Sequence, residues 1–492
     1  MGSVIKIAWR NLAQHRSKTI LVGILITLAI GLDVVGNSIL ESAQESLKKT
    51  FTNNFTGNVL ICPQGIKGGI FGASNGGNSN GPPILPMMKD YEKVYTAIKS
   101  QPGISSLTSQ ISAYVMFNLG GGGLNFGLAF GIDPHSYFST FDNVVMLHGH
   151  RLVSGETGIM LHEKVVQTLE KDNDVHLKVG DHLQLNNFGE AGFKIRDVPI
   201  VGIFRFKAGN ERSFPFMQPN FVDVNTLRAL QGKPILTPAD LKFDSQQKAA
   251  LDISDADFFS GSTVTSVGSS HTKALSMASL DNILGPKSAK ADPASSQNGA
   301  WNYILIKLKP GVATLPFITH LNQLFGQKKL PVKAQDWVDS AQPDSGIFMA
   351  ISFIFNIVIW VLSIVSIIII MNTLIAAVME RTAEIGTMRA LGAQKGFIRN
   401  LFILETVTVS ILAGILGIVL GFILLSILHW TGIRAPNDFM KLIFGGDKLF
   451  PQLSGGPLFT ALIMLAVISL VSWIFPVLMA LKVSPLKAIQ SD

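Results

Sequence analysis

The sequence predicts an α-helical membrane protein with four transmembrane helices, one N-terminal and three C-terminal, and a large two-lobed α+β extracytoplasmic domain. Three observations carry that prediction. The 492 residues are 47% hydrophobic and only 15% charged, which is unlike a disordered or a nucleic-acid-binding chain. Four apolar stretches are long enough to cross a bilayer, whose ~30 Å hydrocarbon core takes ~20 helical residues. Residues 41–344, of mixed helix and strand pattern, separate the first stretch from the other three.

The elements follow in order. Residues 1–18 form a basic N-terminal segment with Lys6, Arg10, Arg16 and Lys18, and residues 19–40 are apolar except for Asp33. A basic start and an apolar run also describe a signal peptide. Here the run approaches a full span and no A-x-A site clearly follows it, so an uncleaved anchor is expected. Residues 345–379 contain no Asp, Glu, Lys or Arg. At ~1.5 Å per residue a helix of that length outreaches the membrane, which suits a stalk. The third and fourth spans are placed at 400–430 and 458–481, joined by a loop at 431–457, with a tail at 482–492.

Charge sets the orientation. With four spans, both termini and the 380–399 segment share one side. That side carries ten Lys and Arg residues near the spans, against three in the 431–457 loop. The basic side is expected to be cytoplasmic, leaving 41–344 outside with a nearly neutral balance of 27 basic and 26 acidic residues. The net charge of +7 is therefore read as topological rather than as a nucleic-acid signature.

Strands are expected at 59–62, 111–117, 193–206 and 303–308, which are rich in β-branched and aromatic residues. Helices are expected at 91–100, 161–171 and 313–325, and a turn at 178–181 leads into a strand. The order is not a repeating βαβ unit, hence α+β with two lobes. Residues 65–83 (GIKGGIFGASNGGNSNGPP) lack the spacing of a phosphate-binding loop and read as a mobile loop. The stretch at about 240–300, rich in Ser, Asp and Ala, reads as a poorly ordered insertion.

Enzyme signatures are lacking. Cys62, the single cysteine, excludes an intramolecular disulfide and a Cys-based zinc site. His135, His148, His150 and His162 come without a carboxylate pattern, so scattered surface histidines are expected and no metal site. No G-x-S-x-G occurs, and no catalytic residue or cofactor is assigned to this chain.

The informative segment is 371–400, MNTLIAAVMERTAEIGTMRALGAQKGFIRN. Glu380 and Glu384 stand at i,i+4 on one helical face, and Gly392 supplies a break before the chain re-enters the bilayer. More acidic residues are interleaved with the basic ones than topology requires. In the third span, Gly417-x-x-x-Gly421 permits close helix approach, either within one chain or across a dimer. Asp33 in the first span and Glu405 near the inner end of the third are costly in lipid. Asp33 is expected either to be hydrated near the interface or to face a cavity between subunits, where it would contact cargo.

These motifs resemble the FtsX/MacB-type permeases of ABC transporters, including the LolC and LolE lipoprotein-releasing subunits. MNTLIAAVMERTAEIGTMRALGA is similar to the second span and coupling helix of that family, and Gly414, Gly417 and Gly421 to its third span. PVLMALKVSPLKAI resembles its closing signature, and GIMLHEKVVQTLE with LKVGDHLQL the outside domain of the lipoprotein-releasing branch. The resemblance implies a bacterial inner-membrane permease that pairs with a second copy or a paralogue. Two copies of an ABC ATPase, holding ATP and Mg, would dock against Glu380, Arg381, Glu384 and Arg389. The MacB branch carries its ATPase on the same polypeptide, whereas no Walker motif occurs here, so a separate ATPase chain is expected. Motion would then pass to the outside domain by mechanotransmission. The cargo implied is lipoprotein or another amphiphile of the outer leaflet, with a possible periplasmic carrier. Two alternatives stand beside it. One is efflux of drugs or peptides with an outer-membrane partner, and the other is an FtsX-like transducer that activates a cell-wall hydrolase.

Overall fold

The structure is a computed structural model that describes residues 16–65, 68–73, 85–119, 125–142, 144–189, 192–207, 218–232 and 300–482. The 1–15 segment, most of the Gly-rich 65–83 stretch, the 240–300 insertion up to residue 299 and the tail from 483 lie outside the described residues. The chain divides into two compact units. One comprises the first helix as far as Phe51 together with the residues from Pro343 onward, and the other lies between Thr52 and Gln342.

The second unit is built on one mixed sheet. Its strands are β1 (Val59–Pro63), β2 (Gly68–Gly69), β3 (Gly72–Ala73), β4 (Ile104–Asn118), β5 (Asn125–Ile132) and β6 (Val144–Gly149). They continue as β7 (Ile159–His162), β8 (His182–Gly189), β9 (Gly192–Phe206), β10 (Pro219–Asp223), β11 (Tyr303–Leu308) and β12 (Val332–Gln335). β2 and β3 pair only with each other, and the other ten form a sheet in the order β12-β1-β11-β4-β5-β10-β7-β9-β6, with β8 bridging β4 and β9. β10 runs parallel to β5 and β7 parallel to β9.

The expected two lobes are thus replaced by a continuous sheet. The reason lies in β4 and β9, each 15 residues long. A strand of that length changes partners along its course. Gln110 of β4 pairs with Tyr303 of β11 and Ile132 of β5, whereas Met116–Asn118 pair with β8. Local pattern reports that a strand exists, but not that it is shared.

Val59, Ile61, Ile111, Val115, Ile304 and Ile306 alternate along their strands and enter one core. That core is closed by Val94 and Ile98 of the helix Tyr91–Lys99 and by Leu321 and Phe325 of the helix Thr314–Gln327. The helix expected from residue 161 begins at Glu163, because His162 ends β7 and caps it, its Nδ1 accepting from the Lys164 amide at 3.2 Å. Where the described chain resumes at Ala300, it is pinned. Arg228 Nε donates to the Ala300 carbonyl at 3.1 Å and its guanidinium lies 4.6 Å from the Trp301 ring centre. Asn302 accepts from the Ser112 amide and donates to the Leu85 and Pro86 carbonyls.

The first unit is helical. Among the described residues, four helices are long and apolar enough to cross a membrane: Thr19–Asn54, Asp344–Glu380, Lys395–Thr431 and Gly455–Met479. The first helix runs Arg16–Asn54, well past the end of its apolar run at residue 40. The continuation ESAQESLKKTFTNN has no Gly or Pro to stop it. A nine-residue helix, Thr382–Ala390, lies between the second and third long helices. The fourth breaks at Trp473 into Gly455–Ser472 and Ile474–Lys482, because Pro476 has no amide to donate to the preceding turn.

The bundle core repeats every fourth residue on the first helix. Val22, Ile26, Ile30 and Val34 pack with Ile359 of the second helix, Ala413 and Leu425 of the third, and Ala461 and Ile468 of the fourth. That spacing is one ridge of a helix surface. Opposite the 380–394 turn, residues 432–454 form a small hairpin, Ile433–Arg434 against Lys448–Leu449, around a helix at Asp438–Phe444.

Candidate functional site

The candidate site is the turn between the second and third long helices, and its geometry begins with a one-residue break. Glu380 ends the second helix and is exposed. Arg381 leaves helical geometry at φ −92° and ψ 12°, and its carbonyl then accepts from the Ile385 amide at 2.9 Å to start the short helix. The short helix ends at Leu391, which is 89% exposed, and Gly392 turns the chain at φ +98°. A side chain at Gly392 would be strained by the backbone alone.

Arg381 does not point outward. Its Nη1 donates to both oxygens of Glu405, at 2.9 and 3.0 Å, and the two side chains are only 7% and 12% exposed. The expectation that Arg381 faces a partner is therefore corrected. A guanidinium beside a carboxylate within the third helix is held by that carboxylate, since neither charge is stable alone away from water. Glu405 gave a signal in the sequence, a charge inside a span. Only the fold shows that Arg381 answers it. Near it in the chain, Val378, Ile385, Ile398, Phe402 and Val477 form a small core of their own, drawn from the second, third and fourth long helices and the short helix.

The other expected residues are distributed differently. Arg389 is half-buried near the end of the short helix, while the Glu384 side chain lies outside the described residues. Asp33 is 3% exposed, with Oδ1 accepting from Asn37 Nδ2 at 2.8 Å. It is buried within its own chain and not hydrated, which corrects one of the two expectations for it. The glycines resolve toward packing within the chain. Gly414 faces Leu465 of the fourth helix. A Cβ on Gly417 would stand 2.8 Å from the Thr27 carbonyl oxygen, and one on Gly421 would stand 2.9 Å from Val34. Thr27 Oγ1 also donates to the Ala413 carbonyl at 3.0 Å, across the same seam.

The histidines divide. His135, His148 and His150 are exposed, and His150 pairs with Glu156 at 2.8 Å. His162 is fully buried rather than on the surface, stacked 5.2 Å from Phe206 and edge-on to Phe204. Burial pushes its pKa down to about 3, with the nearby Lys164 charge adding to the shift.

These features define a class: a membrane protein of four long apolar helices carrying a separate sheet domain between the first and second. The FtsX-like permease C-terminal family matches residues 356–485, which takes in most of the second helix, the charged turn and the last two spans. Residues 356–485 thus carry an FtsX-like permease domain. Among curated relatives, it is 30% identical over 123 residues to the macrolide export ATP-binding/permease protein MacB of Psychrobacter cryohalolentis, which is 25% of this chain and 16% of the relative. It is 28% identical over 134 residues to the ABC transporter permease YtrF of Bacillus subtilis, covering 26% and 30% of the two chains. To the probable syringafactin export ATP-binding/permease protein SyfD of Pseudomonas syringae it is 31% identical over 123 residues, 25% and 17% of the respective chains. The chain thus spans under a third of the length of each of these relatives, and none of the three names specifies lipoprotein release. Among solved structures, the periplasmic region of MacB from Actinobacillus actinomycetemcomitans aligns with 59% of this chain and 94% of its own, at 11% identity and a TM-score of 0.30, too low to argue from.

Proposed function

We propose that this chain is the permease subunit of an ABC transporter, sitting in a bacterial inner membrane with both termini cytoplasmic. It couples ATP hydrolysis on a partner ATPase to work on an amphiphilic cargo at the outer leaflet, by mechanotransmission rather than by a pore. The observation that carries this reading is the 380–394 turn, in which exposed Glu380 ends the second helix and half-buried Arg389 lies on the short helix, inside the FtsX-like segment. Charges of both signs on such an end orient a docking partner and set its register. Two ATPase copies and a second permease, identical or paralogous, complete the assembly, and ATP and Mg belong to the ATPase.

The cargo has two readings. Lipoprotein or a similar amphiphile follows from the motif resemblance to the lipoprotein-releasing branch. Efflux of a small molecule is favoured by the relatives whose names specify macrolide export and syringafactin export. Purification of the tagged full-length chain from its native membrane tests both levels. Co-purification of an ATP-hydrolysing subunit supports the permease reading. A preparation that retains a peptidoglycan hydrolase and no ATPase would replace it with signal transduction. Acylated protein in the preparation favours the first cargo, and a bound small molecule favours the second.

A further inference from the structure

The short helix Thr382–Ala390 is tethered by two weak joints. On one side a single residue, Arg381, separates it from the second long helix. On the other, the Gly392 turn carries a positive φ and an exposed Leu391. A nine-residue helix between such joints is marginal by itself and takes its position from tertiary contacts. Two contacts supply that position. One is the small core that Ile385 shares with Ile398 and Phe402 of the third helix. The other is the Arg381–Glu405 pair, which lies at the first joint and reaches ten positions into the third helix, which starts at Lys395.

We propose that Arg381 and Glu405 are positioning residues that form a buried ionic clasp fastening the short helix to the third membrane helix, so that the two move as one body. This rests on the reading that the short helix receives force from an ATPase. The clasp gives that reading a route. Force applied to the short helix enters the third helix directly and is not lost as pivoting about Arg381 or Gly392. Apolar contact alone resists separation but is nondirectional, whereas an ion pair out of water is costly to part and fixes register.

The test is backbone hydrogen exchange in the full-length chain in nanodiscs, with no ATPase present, so it does not depend on the transport reading. Arg381→Met and Glu405→Gln each leave one buried charge without its opposite member of the pair. Exchange in 382–390 and 395–402 is expected to rise at least about tenfold in each, with the 433–449 hairpin unchanged. The double variant Arg381→Met/Glu405→Leu, which has no charge to strand, is expected to return to within about threefold of the parent. Unchanged exchange in both single variants overturns the clasp. So does a double variant as fast as the product of the two single effects. With the partner ATPase added, the single variants are expected to lose stimulation of ATP hydrolysis. Retained stimulation alongside faster exchange would overturn the link to force while leaving the structural clasp standing.

Discussion

The two ends of the membrane unit solve one problem with different physics. At each end a connector must hold neighbouring helices together. At the 380–405 end the fastening is dry, with one buried ion pair and a separate five-residue apolar core. At the 431–457 end the fastening is wet. Ser454 Oγ donates to Glu41 at 2.6 Å and the Gln452 amide donates to Ser42 Oγ at 3.0 Å, both in exposed positions, while Gly445 turns at φ +68° against Ser46. A dry pair stays close and is costly to break, whereas a wet one exchanges with water at little cost. A joint that must pass on force without slack suits the first. A joint that only covers helix ends can use the second.

The largest expected effect falls on the dry end. Arg381→Ala should cost about 3–5 kcal/mol, because Glu405 is then buried without its countercharge. Thermal unfolding of the full chain in nanodiscs measures it, and a loss under about 1 kcal/mol would place that end in the wet class.

His162 shows the third way to bury an ionisable group, which is to keep it neutral. Its folded pKa, about 3, lies below the ordinary value of 6.5. As pH falls below 6.5, the unfolded chain takes up a proton that the folded one refuses, so stability is lost progressively until the folded pKa is reached. The loss should be on the order of 3 kcal/mol by pH 4. Hydrogen exchange of β7 against pH reads it, and His162→Asn, which retains a capping oxygen, should flatten that slope.

Helix packing gives a smaller effect. Gly417→Ala should cost about 1–3 kcal/mol, since the new Cβ meets backbone that cannot move aside. Gly23→Ala, with nothing within 4 Å, should cost nothing in the same melting experiment. The smallest effect belongs to the wet end, where Glu41→Gln should change stability by under about 0.5 kcal/mol. A cost of several kcal/mol there would erase the contrast between the two ends.

Much of this architecture was legible in the residues. The spans are long runs almost free of charge, and strands such as Tyr303–Leu308 declare themselves by composition and length. What was not legible depends on partners distant in sequence. β4 looks like an ordinary strand until β8 claims its last residues. Hydropathy ends the first span at residue 40, but the helix continues because nothing in its backbone chemistry stops it. At the candidate site, the charges of the turn were visible and their division was not. Arg381 reads as one more basic residue beside the membrane, and Glu405 as an expense. Each becomes intelligible only when the other is 2.9 Å away.

The central claim is that the 380–394 turn is where ATP-driven motion enters this chain. Its most direct test is the ATP hydrolysis rate of the partner ATPase in proteoliposomes, with the parent chain or with Glu380→Lys/Glu384→Lys. The parent is expected to stimulate hydrolysis, and the double reversal to abolish the stimulation while the helices and sheet stay folded. Undiminished stimulation by the reversed chain would contradict it.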